Sequence, residues 1–256
     1  MNLVELYCSV DDFWKSFKNE WDRHLVDAAG SKRGSDPELS IPEMMTIVVL
    51  FHQSNYRTFK HFYQYVLIVH KKDFHLISYS RFVHLMKNIF IPLFAYLLSL
   101  TGEITGIAFV DSTSLAVCHN KRISRNRVFK KVAKIGKTTT GWFYGFKLHL
   151  IINDKGEILA FQITPGNVSD VCVVESLSRR IYGKLFGDKG YISSDVCKKL
   201  WDRGLTLFTS IRSTMKPKLM KMEDKILLRK RSLIETVNDQ LKNISQIEHT
   251  SHRSIG

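Results

Sequence analysis

Three carboxylates in this chain fall where acids can do chemistry together. Asp111 closes a short apolar run, Ile107-Ala-Phe-Val-Asp111, Asp188 lies in Phe186-Gly-Asp-Lys-Gly-Tyr191, and Glu235 sits in the helix-forming stretch from Arg231 to Lys242. Hard oxygen donors suit Mg²⁺ or Mn²⁺, which keep several waters and bridge to phosphate, whereas zinc would want the His and Cys clusters that the chain lacks. Two such ions roughly 3.5 to 4 Å apart activate the attacking oxygen and stabilise the leaving one in an in-line displacement. In a basic chain, the three acids read as a metal-dependent phosphodiester site that needs no covalent enzyme intermediate.

Each acid also has a plainer reading. Asp111 precedes Ser112-Thr-Ser114 and could cap a turn. Asp188, between Gly187 and Gly190, could belong to an ordinary Asp-Gly turn that points an oxygen out of a sheet. On a helix, Arg231, Glu235 and Lys242 lie within about 60° of one face, at 100° per residue. A solvated ion-pair row gives the same pattern, and Asp239 on that face is an alternative ligand to Glu235. His119, His149, His249 and His252 read as surface or packing residues. The three acids converge only if the fold brings them together.

Composition points the same way. The 256 residues are 44% apolar, enough for a substantial core, and 38 Lys and Arg against 24 acids leave a net charge of +14. The excess is local: from Ser112 to Asn153 there is no acid, while Lys121, Arg122, Arg125, Arg127, Lys130, Lys131, Lys134, Lys137 and Lys147 all fall inside. A short charge run is as well explained by a solvated face, but a window of this length favours a polyanion, whose phosphates release counterions on contact. The four cysteines, Cys8, Cys118, Cys172 and Cys197, form no CxxC pair and no dense framework, so they are expected to be reduced. The longest apolar run, Ile89 to Leu100, is interrupted by Pro92 and falls short of the roughly 20 residues that cross a bilayer. With no basic-then-apolar leader, a cytoplasmic protein without a membrane partner is expected.

The elements divide near residue 102. Residues 1–102 read as a helical, DNA-binding domain: a first helix over roughly Asp12 to Val26, a flexible link at Gly30 to Pro37, and a capping-box start at Ser40-Ile-Pro-Glu43. Phe59, Phe62, Tyr63, Val66 and Leu67 then recur at helical spacing, as do Phe82, Leu85, Met86 and Ile89. The aromatic stripe reads as core rather than as a platform for bases. Residues 103–256 change texture, with strands expected at Ile104 to Val110, Trp142 to Ile152, Ile158 to Ile163, Lys184 to Phe186 and Leu205 to Ile211. Helices are expected at Val168 to Ile181, at Ser193 to Arg203, and from Glu223 to about Ile247 with the stripe Ile234, Val237, Leu241 and Ile244. Three strands in meander, then alternating helix and strand, then a closing helix, make an α+β, ribonuclease-H-like mixed sheet with flanking helices. Asp111 and Asp188 then fall beyond the strand ends, where such sheets carry function.

On these residues the chain resembles the DDE transposases of bacterial insertion sequences, and over its whole length the 982 family. Val110-Asp-Ser-Thr113 is similar to the first acidic motif, Pro165-Gly-Asn-Val-Ser-Asp170 to the loop after the third strand, and Gly187-Asp-Lys-Gly-Tyr191 to the second motif. Arg231, Glu235 and Lys242 resemble the Tyr-(2)-Arg-(3)-Glu-(6)-Lys pattern, departing at the tyrosine, where Leu228 stands. The resemblance implies that Asp111, Asp188 and Glu235 hold two Mg²⁺ or Mn²⁺ ions, that water attacks at the element's end, and that the freed 3′-hydroxyl attacks target DNA. It further implies that Arg231 and Lys242 contact terminal phosphates, that Lys121 to Lys137 grip the duplex, and that a homodimer forms on double-stranded DNA in the bacterial cytoplasm, at the nucleoid. Relatives continue beyond His252-Arg-Ser-Ile-Gly256, which implies a C-terminally truncated chain. The competing readings are a ribonuclease-H-like nuclease without strand transfer, and a non-catalytic DNA-binding repressor of transposition.

Overall fold

A computed structural model describes residues 2–29, 39–139, 141–210 and 219–248. The chain divides into two units, Met1–Leu100 and Thr101–Ile255.

In the first unit the capping box expected at Ser40 forms. The Ser40 hydroxyl accepts from the Glu43 N–H while the Glu43 carboxylate accepts from the Ser40 N–H at 2.8 Å, which satisfies donors that a helix start leaves orphaned. Helix α1 spans Leu3–Ala29, longer at both ends than the stretch expected from Asp12 to Val26; at its start Leu6 and Val10 already lie on the buried face. Helices α2 (Ile41–Gln53), α3 (Phe59–Val69), α4 (Tyr79–Leu85) and α5 (Phe90–Ser99) follow. The expected link at Gly30 to Pro37 lies outside the described residues. The aromatic stripe is core: Phe62, Tyr63 and Phe82 are buried, with the Tyr63 and Phe82 rings 4.7 Å apart. From Tyr79 to Ser99 the helices run on through a 3₁₀ turn, a segment long and apolar enough to cross a membrane by length and composition, and so longer than the run read from the sequence. Phe82, Ile89 and Tyr96 on it are nevertheless buried in the helical core.

The second unit is built on a six-stranded mixed sheet of β1 (Ile107–Cys118), β2 (Lys134–Thr138), β3 (Gly141–Asn153), β4 (Ile158–Pro165), β5 (Gly183–Gly187) and β6 (Leu205–Thr209). β1, β3 and β4 form the antiparallel meander, and β5 and β6 add in parallel beyond β1. With helices on both faces, the order β4-β3-β1-β5-β6 is that of a ribonuclease-H-like fold. β2 is an addition at the edge of β3 that the sequence reading missed. Helix α6 (Asp170–Leu177) is shorter than expected, and α7 is Ser194–Asp202. The expected closing helix is instead α8 (Met222–Lys230), α9 (Ser232–Asp239) and a π-helical turn at Gln240–Ile244.

Alternation along the strands fixes which side chains meet which helices. Ala108 and Val110 of β1 face a core with Val173, Val174, Leu177 and Leu200 of α6 and α7. Phe109 faces the other core, where Ile234, Val237 and Leu241 dock. Ile244, expected on the same apolar stripe, is 76% exposed, because the wider π turn shifts the helical phase by that point.

Candidate active site

Asp111 does not end its strand. β1 continues to Cys118, paired with β3 residue by residue (Asp111 opposite Leu150, Ser112 opposite His149). The sequence Asp-Ser-Thr-Ser reads as a turn, but the pairing with β3 satisfies its backbone as strand. What does end there is the other partner: β5 pairs with β1 only from Ile107 to Phe109. Sharing the face of Phe109, Asp111 emerges toward α9.

Asp188 follows β5 directly and caps a short 3₁₀ turn, Lys189–Tyr191, its Oδ1 accepting from the Gly190 N–H. The flanking glycines serve space rather than unusual backbone angles. A Cβ at Gly187 would lie 2.9 Å from Val110 Cγ1, and one at Gly190 would lie 3.2 Å from Asp188 Oδ1.

Glu235 stands on α9 with its side chain 55% exposed, bound by Arg231 at 2.6 Å. The Arg231 guanidinium also reaches Asp111 Oδ1 at 3.7 Å, so one cation spans two of the three acids. Asn238, one turn after Glu235, donates from Nδ2 to Asp111 Oδ2 at 3.1 Å. Asp239, the alternative ligand in the sequence reading, is exposed and instead accepts from Asn243 at 2.5 Å.

Burial pushes the Asp111 carboxyl up to about 6; Arg231 opposes this, while the charges of Asp188 and Glu235 add to the rise. Asp188 and Glu235 thus lie near enough to Asp111 for their charges to act on it. Among the described residues no three His, Cys, Asp or Glu side chains converge closely enough to hold a metal ion as they stand, since Glu235 is turned to Arg231. The donor chemistry nevertheless fits a hard cation: the acids are mutually repelling, a guanidinium already sits between two of them, and the Asn238 carbonyl oxygen is buried with no hydrogen-bond partner.

Lys242 lies apart from the acids, with Nζ 3.3 Å from Glu248 Oε1, and that carboxylate also accepts from the Ala116 N–H. Lys121, Arg122, Arg125, Arg127, Lys130, Lys131, Lys134 and Lys137 are all exposed, and none forms an ion pair with a described carboxylate. They follow one another from the 3₁₀ segment Asn120–Arg125 into the edge strand β2.

On the opposite face of β1 lies a polar group that the sequence reading did not assemble. Lys147 bonds the Val168 carbonyl at 3.0 Å and Asp170 at 3.1 Å, and the fully buried His149 pairs with Thr164 at 2.8 Å. Burial lowers the pKa of His149, favouring the neutral ring. The Tyr191 phenol is buried between the charges of Asp170 and Asp111, beside Ser112, and burial raises its pKa so that it stays protonated. The available signal was polar residues at alternate positions of otherwise apolar strands: Ser112 and Ser114 on β1, Lys147 and His149 on β3. His119 is an exposed cap, its ring accepting from the Lys121 N–H, while His249 and His252 lie outside the described residues.

Comparison with known proteins adds three findings. No curated protein matches the chain significantly. A solved structure, that of the piggyBac transposase synaptic complex with hairpin DNA, is similar at 11% identity and a TM-score of 0.45, over 77% of this chain and 48% of that one. The chain thus spans about half the length of that protein. Residues 101–255 match the family described as "Transposase DDE domain", and with more than half its length inside that match the chain belongs to the DDE transposases.

Proposed function

We propose that the chain is a transposase of the 982 family of insertion sequences, which cuts DNA at the element's ends and joins the freed 3′-hydroxyl to target DNA. The observation that carries this reading is the contact of α9 with Asp111 on β1, where Asn238 bonds the carboxylate at 3.1 Å and Arg231 lies between Asp111 and Glu235.

DDE transposase domains generally use divalent metal ions. Asp111, Asp188 and Glu235 are the residues that would hold Mg²⁺ or Mn²⁺, two ions in all, and the ions would supply an activated water and charge neutralisation at the phosphate. The rest belongs to the chain. Asn238 and Arg231 hold Asp111 in place, and burial keeps its carboxylate poorly hydrated, which favours exchange of solvent for a cation. Arg231, released from Glu235, is placed to meet a phosphate oxygen with its planar fork. Lys242 is the second expected phosphate contact and must leave Glu248 to act as one. The exposed cations from Lys121 to Lys137 suit the duplex beyond the cut, and residues 1–102 a second DNA contact. Joining two element ends calls for at least two copies of the chain, acting at the nucleoid.

The test is incubation of the full chain with labelled duplex carrying element ends and a second duplex, in Mg²⁺, Mn²⁺ or EDTA. Metal-dependent nicking at the end, followed by transfer of label into the second duplex, is expected. Nicking without joining would identify a nuclease, and binding without nicking a non-catalytic DNA-binding protein; either overturns the proposal.

A further inference from the structure

Asn238 is out of place if packing alone is considered. It lies on α9 among Ile234, Val237 and Leu241, whose side chains dock the helix against the sheet, and it is only 6% exposed. An apolar side chain of the same volume would fill that space without burying an amide. Nδ2 is committed, 3.1 Å from Asp111 Oδ2. The opposite orientation would press carbonyl oxygen against carboxylate, so the bond to Asp111 fixes where the carbonyl oxygen points. That oxygen is buried and has no hydrogen-bond partner. A buried acceptor left unpaired is costly, and in a native protein it calls for an explanation, of which a bound water or ion is one. Its place on the helix agrees: Asn238 follows Glu235 by three residues and Arg231 by seven, the spacing of one helical face.

We propose that Asn238 is a positioning residue of the carboxylate site, with two halves to its task. The amide N–H fixes the Asp111 carboxylate, and the carbonyl oxygen accepts a hydrogen bond from water carried by a divalent ion on Asp111. The inference rests on the reading of Asp111 as a metal ligand. Mg²⁺ and Mn²⁺ keep several of their waters, and those waters donate hydrogen bonds, which a carbonyl accepts and Arg231 cannot. Asn238 thereby completes on the helix side what Asp111 begins on the strand side.

The test is Mn²⁺ binding to the purified full chain without DNA, followed by the electron-spin resonance of free Mn²⁺, alongside chemical unfolding in EDTA. Removing a residue that orients a ligand or its water typically weakens metal affinity about 10- to 100-fold. Asn238→Leu, close in volume, is expected to lose at least about tenfold in Mn²⁺ affinity with no fall in its unfolding midpoint, because it also removes the orphan oxygen. Asn238→Asp keeps an acceptor oxygen at that place and is expected to bind Mn²⁺ at least as tightly as the wild type. Asn238→Ala, which also lacks both the amide N–H and the acceptor oxygen, provides the same comparison as the leucine variant should that one fail to fold. Unchanged affinity in Asn238→Leu, with affinity lost in Asp111→Asn, overturns this proposal and leaves the metal site standing. Asn238→Asp as weak as Asn238→Leu overturns it too, since holding Asp111 would then be the residue's whole role. Indistinguishable Mn²⁺ binding by wild type and Asp111→Asn would instead remove the reading on which it rests.

Discussion

Two aspartates on opposite faces of one sheet meet their cations differently. Asp170 is held by Lys147 at 3.1 Å, and the same ammonium binds the Val168 carbonyl, so the loop into α6 is closed around a finished ion pair. Among the described residues Asp111 has only Arg231 for a cation, at 3.7 Å and shared with Glu235, and two further acids near enough to raise its pKa. The first arrangement spends its charges on holding the chain in one conformation. The second keeps a carboxylate buried with less compensation than it could use, the condition in which an arriving cation gains most. The two arrangements are separated by the thickness of a strand.

That contrast can be broken most sharply at Asp111 itself. Asp111→Asn should reduce Mg²⁺-dependent end cleavage at least about a thousandfold, the several kcal/mol that ligand-held charge supplies, while leaving end binding in a gel-shift assay nearly unchanged. Undiminished cleavage would mean that the wrong face has been taken for the active one. On the other face, Lys147→Met leaves a largely buried carboxylate without its partner and should cost about 3 kcal/mol in urea unfolding. A loss under about 0.5 kcal/mol would show that the Lys147–Asp170 pair is not structural.

A smaller effect of opposite sign is expected for the stability of Asp111→Asn in EDTA. With its folded-state pKa raised from 3.8 to about 6, Asp111 favours the native state below pH 4 and loses that contribution as pH rises through 6. The asparagine variant should therefore match the wild type below pH 4 and exceed it above pH 7 by on the order of 2 to 3 kcal/mol. A variant less stable than wild type at pH 8 would show that Arg231 fully compensates the buried charge. The smallest change belongs to neither face: Lys130→Gln with Lys131→Gln should lower the salt slope of DNA binding by about 1.8 without moving the unfolding midpoint.

How far these arrangements could be read in advance depends on the kind of signal each leaves. The capping box at Ser40 is local chemistry, legible from two residues and formed as expected. The apolar strands announce themselves, and with them the ribonuclease-H-like order of the sheet. β2 does not, because Lys134-Ile-Gly-Lys-Thr138 carries one large apolar residue and is strand only by virtue of its pairing with β3. The breaks after Lys230 and Asp239 carry no proline or glycine to mark them. At the candidate site the acids stand out as charges in apolar surroundings, but Asn238, which reaches Asp111, is uncharged, and on that helix the sequence directs attention to Glu235, with Asp239 as its alternative. The Lys147–Asp170 pair needs the register of β3 against β4 and the start of α6, which no local pattern encodes.

The short pairing of β1 with β5 also bears on when the site comes into being. Ile107 meets Lys184, and Asp111 meets Asn238, so the centre depends on contacts between positions far apart in the chain. Loop closure of that length must precede any reward from the contacts, which makes such pairings slow. A nascent chain on the ribosome can complete its helical N-terminal part early, yet Asn238 emerges 127 residues after Asp111. The two sides of the candidate site therefore come together only once α9 has been made, and fragments released before it carry the basic surface of residues 121–137 without the Asp111–Asn238 contact.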